Sequence, residues 1–349
     1  MIEKQYPMTA IAPFIESSAT EDPAVLRQRL DDEGYLFFRR LQDPNAIRAL
    51  RRDIVTVLQA GGWLAPGTNP EDGIAALKAR CTEGDVEYPA VYHQVYRLES
   101  FHRAGHCPEV LQLLAKLIDG PVLPHPQKIA RLWFPQYTEH TTPIHQDFVH
   151  FQGSFQTLSV WAPIGDCPID LGGLAVIPGS HKVNKVLTHH FSLGAGGLAI
   201  DPADLQGQWH STDYQIGDTL IFPSLTAHQA LPNNTADRLR LSLDNRYQPQ
   251  HVPIGEHMLE PHLGLNSALT WDEVYANWES TELQYYWKDL PLDIVPRDPQ
   301  WGEAGFKEAL DLARQGDDHA LYLMHRLVKR DPADPRVAEA KAILAALAA

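Results

Sequence analysis

Apolar positions along this chain follow two periods, a helical one towards both ends and a strand-like one in the middle. Near the start, Val25, Leu26 and Leu30 form an apolar stripe behind Asp22 and Pro23, which suit a helix cap and first turn; Gly34 ends the stripe before the strand-like "YLFF". A second helix is predicted from Asp43 and Pro44, with Ile47, Leu50, Ile54 and Val57 on one face and Gly61 and Gly62 as its stop. Further helices are expected over 88–103 and 108–118, the latter carrying Val110, Leu111, Leu114 and Leu117.

From about residue 121 the texture changes. "KIARLWF", "TLSVWAPI", "GLAVIP", "DTLIFP" and "RLRLSLDNRY" have strand length and composition, with Gly, Pro, Asp and Asn between them. Many short strands without intervening helical patterns predict an antiparallel sandwich or barrel rather than a doubly wound sheet. The stretch 181–213, rich in Gly, His and Asp, reads as an insertion between strands. Helical signals return after about 253. The aromatic-rich 270–287 is expected to pack as helix on the barrel, and 302–349 as three short amphipathic helices split at Gly316 and "DPADP". That tail resembles one partial helix-pair repeat, too little for a solenoid; it reads as a cap on the core, with a homo-oligomer or partner surface as its other role.

Composition narrows the function classes. With 29 Lys plus Arg against 44 Asp plus Glu, the net charge of −15 opposes a nucleic-acid backbone, and no basic patch offsets it. The three cysteines, Cys81, Cys107 and Cys167, are widely spaced and suggest neither a disulfide framework nor a structural zinc. The N-terminal "MIEKQYPMTAIAPF" lacks the pattern of a secretion signal, and no apolar run approaches a membrane span, so a soluble, cytoplasmic protein is expected. A content of 44% hydrophobic residues with eight tryptophans is enough for a substantial core.

The candidate chemistry starts at "TTPIHQDFVHFQ", residues 141–152. On an extended segment His145 and Asp147 point the same way, so both side chains can reach one point. His228 lies far downstream, a separation of the kind that opposite ends of a barrel supply, and Arg240 follows it by twelve residues. Two histidines and one carboxylate bind iron(II) on one face and leave other positions open. A bidentate keto acid such as 2-oxoglutarate fills such positions and leaves a distal carboxylate, which a guanidinium can hold through two parallel charge-assisted hydrogen bonds. Arg240 and Ser242, two apart on a predicted strand, can grip it together.

Taken in order, "HQD" (145–147), "VWAPIGD" (160–166), "GGLAVIPGSHK" (172–182) and "GDTLIFPSLTAHQALPNNTADRLRLSLDNRY" (217–247) resemble the phytanoyl-CoA dioxygenase family of iron(II)- and 2-oxoglutarate-dependent oxygenases. The likeness is good over about 121–250 and looser over the preceding helices and "YANWESTELQYYW". It implies a double-stranded β-helix, a cupin-like jelly roll, so the expected fold is mainly β with flanking helices: an oxygenase domain over 1–252 including the N-terminal helices, and a C-terminal helical extension over 253–349. It implies His145, Asp147 and His228 as iron ligands, Arg240 as the 2-oxoglutarate anchor, Trp161 lining the co-substrate pocket, and O2 as the oxidant. Activity would then be hydroxylation of an aliphatic carbon in a small molecule, with succinate and carbon dioxide released. The sequence departs from some relatives at Ala230, where they carry a small hydroxyl residue, and Arg238 competes with Arg240 as anchor; spacing to "LDNRY" favours Arg240. Asp147 argues against halogenation, because relatives that halogenate free that position for chloride.

Other features are assigned blander roles. His181, His189, His190 and His210 read as solvated loop residues, and "GAGG" (194–197) as no dinucleotide fingerprint. His150 and Phe151 border the substrate mouth or form barrel wall, the segments 148–156 and 181–213 are candidates for substrate contacts, and Asp244 with Arg246 suits an ion pair orienting Arg240. Two further readings stay open: a cupin-like metalloenzyme that uses no 2-oxoglutarate, and a metal-binding or interaction protein without turnover.

Overall fold

The structure, a computed structural model, describes residues 11–263, 269–330 and 333–347. Its centre is a seven-stranded, largely antiparallel sheet in which strand Arg240–Pro249 pairs with Leu158–Pro163 on one side and with Ile129–Trp133 and Val122–Pro124 on the other. Thr219–Pro223 lies beyond Leu158–Pro163, followed by Leu36–Phe38. A smaller layer pairs Leu174–Val176 with His228–Ala230 and is extended by bridges from His145 to His228 and from Val176 to His210. Alternation along the strands explains the layering: Phe37, Trp161, Leu220 and Phe222 turn inward to meet Leu174, Val176 and Ala230. The opposite face of the large sheet is covered by helices, so every residue of Arg240–Pro249 is buried.

Helix ends follow the sequence signals. Asp22 caps Pro23–Glu33 by accepting from the Ala24 amide, and Gly34 closes it in a left-handed conformation, φ 72°, that its missing Cβ permits. Asp43 caps Pro44–Ala60 in the same way. The predicted helix over 88–103 is two, Tyr88–Tyr96 and Glu99–Ala104, because the chain turns extended at Leu98. The larger departure is 270–287: only Trp271–Tyr275 is helical, held by a reciprocal Thr270–Glu273 cap. The remainder runs as turns in which Trp278 and Trp287 pack on the helices by ring contacts and hydrogen bonds rather than by helical periodicity. Tyr285 takes φ 51°, which a continuous helix excludes.

The insertion carries a hairpin, His189–Phe191 with Leu198–Ile200. Its tip, 194–197, folds against the run before His145: a Cβ on Gly194 would lie 2.1 Å from the Thr141 carbonyl oxygen and 2.7 Å from Pro143 Cδ. The last three helices, Gln300–Arg314, Asp318–Arg330 and Val337–Leu347, share their own apolar core and dock on this hairpin, with Glu308 accepting from the Phe191 amide and Leu198 against Gly305. Among the described residues no helix is long and apolar enough to cross a membrane.

Beneath the helices Lys128 is 2% exposed, and its ammonium donates to the His125 carbonyl oxygen at 3.0 Å. Burial pulls its pKa from 10.5 to about 7. Below about pH 7 the folded protein therefore carries the full cost of a buried charge, and between about 7 and 10.5 the unfolded chain binds the extra proton, so this group's cost falls as pH rises. Lys128→Met is expected to stabilise the fold by about 1–3 kcal/mol at neutral pH. Chemical denaturation across pH checks this, because the gap to wild type should close towards pH 10.5. For the hairpin tip, Gly194→Ala is expected to cost about 1–3 kcal/mol by overpacking, read as a lowered thermal midpoint.

Candidate metal centre

His145 and His228 are brought together by backbone. Each donates its amide to the other's carbonyl oxygen, at 3.0 and 3.1 Å, so the two residues face each other across a bridge rather than standing at opposite ends of a barrel. Their rings lie 4.2 Å apart between centroids. In each, Nδ1 lies within hydrogen-bond distance of the carbonyl oxygen two residues earlier, Pro143 at 2.8 Å and Thr226 at 2.9 Å. A neutral imidazole so placed donates through Nδ1–H and leaves the Nε2 lone pair free, the tautomer a metal requires. Burial, then His145, pushes the pKa of His228 down to about 3, which keeps that ring neutral.

Asp147 supplies the third group, a carboxylate, by a route other than strand alternation. Its backbone is helical, φ −61° and ψ −26°, at the start of the short helix Phe148–Phe151, and the chain turns there because the Phe148 amide donates to Ser224 O. Asp147 Oδ1 lies 3.2 Å from His145 Nε2 and 3.7 Å from His228 Nε2. One ligand atom from each of the three residues falls within 4.8 Å of the others, and all three side chains are buried. Burial opposes ionisation of Asp147, but Arg246, His228 and His145 outweigh it and hold the carboxyl well below its usual range. Two imidazole nitrogens and a carboxylate oxygen converging from one side fit a first-row divalent metal such as iron(II).

Gln146, between the two ligand candidates, is fully buried. Its side-chain amide donates to Lys185 O and Leu225 O, and its side-chain oxygen accepts from the Leu187 amide. His189 accepts from the Gln146 amide through Nε2 and is paired through Nδ1 with Leu187 O. His181 and His210 are likewise engaged, with Asp31 O and the Tyr35 hydroxyl. These three fasten the insertion to the core rather than standing in solvent; His190, beside Glu308, is exposed. His150 has its ring 5.2 Å from that of His145, and Gly196 of the hairpin tip packs against it.

Arg240 and Arg238 separate cleanly. Arg238 precedes the strand and is exposed, whereas Arg240 opens it and is 3% exposed. Arg240 donates to Ser242 Oγ at 2.6 Å and sits 5.4 Å from the Trp133 ring centroid. Among the described residues no carboxylate forms an ion pair with it. Burial lowers its pKa to about 10, which leaves it charged at neutral pH. It closes a narrow crevice lined by Trp133, Phe134, Tyr137, Thr141, Leu231 and Asn233. Trp161 packs in the core between the sheets, its ring 4.7 Å from that of Tyr214; the tryptophan beside Arg240 is Trp133, its register partner on the neighbouring strand. Asp244 and Arg246 do form an ion pair, at 2.9 Å, but Arg246 is turned to Asp147 and not to Arg240.

Sequence reasoning missed Trp133, Ser159 and Gln146. Ser159 donates to Asp147 Oδ2 from the strand beside Arg246. Strand register carries the signal for the first two, since Arg240 faces Trp133 and Arg246 faces Ser159, and register is not written in spacing alone.

The phytanoyl-CoA dioxygenase family model matches residues 30–241. In sequence the chain is similar to two 1-deoxypentalenic acid 11-beta-hydroxylases. That of Streptomyces arenae is 25% identical over 269 residues, and that of Streptomyces exfoliatus 25% over 274, each match covering 72% of this chain and 87% of the relative. Among solved structures, the chain is similar to the epimerase SnoN from nogalamycin biosynthesis in complex with Fe3+, alpha ketoglutarate and nogalamycin RO, with a TM-score of 0.46, 19% identity, and coverage of 66% of this chain and 84% of that one. The carbocyclase SnoK gives a TM-score of 0.47 at 17% identity, over 68% and 88%. The family match takes in most of the chain and every group described here from His145 to Arg240, and the protein belongs to the phytanoyl-CoA dioxygenase family of iron- and 2-oxoglutarate-dependent oxygenases.

Proposed function

We propose that the protein hydroxylates an aliphatic carbon of a small molecule, with iron(II) held by His145, Asp147 and His228. The observation that carries this is the pairing of a converged His, Asp, His set with a buried guanidinium that no carboxylate of the described residues neutralises. Iron with 2-oxoglutarate and O2 supplies the oxidant, converting C–H to C–OH while 2-oxoglutarate leaves as succinate and carbon dioxide. The chain's own part is binding, orientation and exclusion of water. Arg240 and Ser242 take the distal carboxylate of 2-oxoglutarate in the crevice beside Trp133, where a charge-assisted pair is strong because the site is buried. Trp161, opposite Asp244 on the neighbouring strand, is assigned to the co-substrate pocket on the family likeness.

The two layers and the position of the metal centre between them support a double-stranded β-helix within the oxygenase domain assigned to 1–252; the extension assigned to 253–349 is helical at Trp271–Tyr275 and in its last three helices. Substrate contacts are assigned to 148–156 and to the hairpin of the insertion, since His150 and Gly196 meet within reach of His145. The relatives named hydroxylases of 1-deoxypentalenic acid support a small-molecule substrate and an outcome of hydroxylation.

Anaerobic addition of iron(II) and then 2-oxoglutarate should produce the visible charge-transfer band of the chelate. Asp147→Ala should abolish the band, and Arg240→Ala should raise the 2-oxoglutarate needed by about 10–100-fold, the loss of one strong buried charge pair. Exposure to O2 with a screened substrate should then give succinate in step with product. Metal binding without a band would favour a metalloenzyme that uses no 2-oxoglutarate, and absence of metal binding a role without turnover.

A further inference from the structure

A run of alternating charges leads from the metal centre to the C-terminal helices. Arg246 Nη2 lies 3.2 Å from both oxygens of Asp147, while Nη1 meets Asp244 Oδ1 at 2.9 Å and the Asp244 carbonyl oxygen at 2.9 Å. Asp244 Oδ2 is 3.7 Å from Arg131 Nε, and Arg131 Nη1 is 2.7 Å from Glu83 Oε2. Glu83 sits on a loop that Arg326, from helix Asp318–Arg330, fixes twice, by donating to the Glu83 carbonyl oxygen and by lying 3.1 Å from Asp85. No side chain in this run is more than 22% exposed. Solvent and salt therefore screen it weakly, and each charge is felt by the next.

We propose that Arg246 is the positioning residue of the metal carboxylate and that Glu83, held by Arg326, acts on the metal centre through Arg131, Asp244 and Arg246. The inference rests on the assignment of Asp147 as a metal ligand. Asp147 can present Oδ1 to both imidazoles only if its plane is fixed, and two groups fix it: Ser159 on Oδ2 and the Arg246 guanidinium across both oxygens. A planar guanidinium can address Asp147 and Asp244 at once from its two ends, which a point-charge ammonium cannot. Without it, the Asp147 carboxylate would keep only the Ser159 hydroxyl to set its plane. Asp244 is shared between Arg246 and Arg131, so the pull of Glu83 on Arg131 sets how firmly Asp244 holds Arg246. In this way a helix outside the two sheets contributes to the ligand set.

The test measures iron(II) affinity anaerobically on the full chain, with the 2-oxoglutarate band and the thermal midpoint recorded alongside. Arg246→Met should weaken iron(II) by about 10–100-fold, as loss of a partner behind a metal ligand does, and should shift the band, with Arg246→Lys between it and wild type. Glu83→Gln should weaken binding about threefold, a coupling carried through intermediate residues, and should have no further effect in an Arg246→Lys background. Wild-type affinity and band in an Arg246→Met protein that keeps its thermal midpoint would overturn the proposal. If that variant does not fold, the Glu83→Gln and Arg246→Lys pair decides, since additive effects would break the chain of action and dependence would support it. A wild type that binds iron(II) but gives no band would sink the co-substrate assignment while leaving these affinities to settle Arg246; a wild type that binds no metal would overturn both.

Discussion

Everything at the metal centre depends on two backbone hydrogen bonds, the reciprocal pair between His145 and His228. They join segments far apart in sequence, set the two rings 4.2 Å apart, and leave each Nδ1 against its own local carbonyl. A bridge formed by main chain is indifferent to the side chains it carries, so the imidazoles are placed by the meeting of two strands rather than by attraction to a metal. The surrounding layers serve that placement. The large sheet supplies Ser159, Arg240 and Arg246 from adjacent strands, and the small layer supplies His228 beside Val176. The helices behind the large sheet bury its far face and thereby make the interior dry enough for these charges to matter.

Much of this was legible in the chain. Caps at Asp22 and Asp43, stops at Gly34 and Gly61, and the runs from "KIARLWF" to "RLRLSLDNRY" lie where local chemistry places them. That His145, Asp147 and His228 converge was legible too, but for a reason only half right. His145 and Asp147 converge through a bridge and a helix start, not through strand alternation, and their spacing would have looked the same either way. What stayed hidden was set by register and by long-range packing. Arg246 and Asp244 were visible as a pair, yet nothing in "LDNRY" says that the pair faces Asp147 rather than Arg240. The 270–287 run was misread because aromatic residues at near-helical spacing can equally be pinned one by one in turns, as Trp278 is to the Arg97 carbonyl oxygen.

The electrostatic organisation along the large sheet follows one rule. Carboxylates and guanidinium groups alternate, so that Asp147, Asp244 and Glu83 each sit against at least one cation, while Arg240 at the start of the same strand is left with a hydroxyl and a ring. A buried cation is costly unless it is matched. The same strand thus holds one arginine whose charge is matched by two carboxylates and another that meets none among the described residues, six residues apart on one face.

Gln146 gives the insertion a different meaning from that of an ornament between strands. Loops around such sites are where families diversify, because they can change without disturbing the scaffold. Here the middle residue of the ligand motif is itself the clasp that holds 185–187 and 225 together. The loop and the motif are therefore one mechanical unit: whatever displaces 185–187 pulls on the residue that stands between His145 and Asp147.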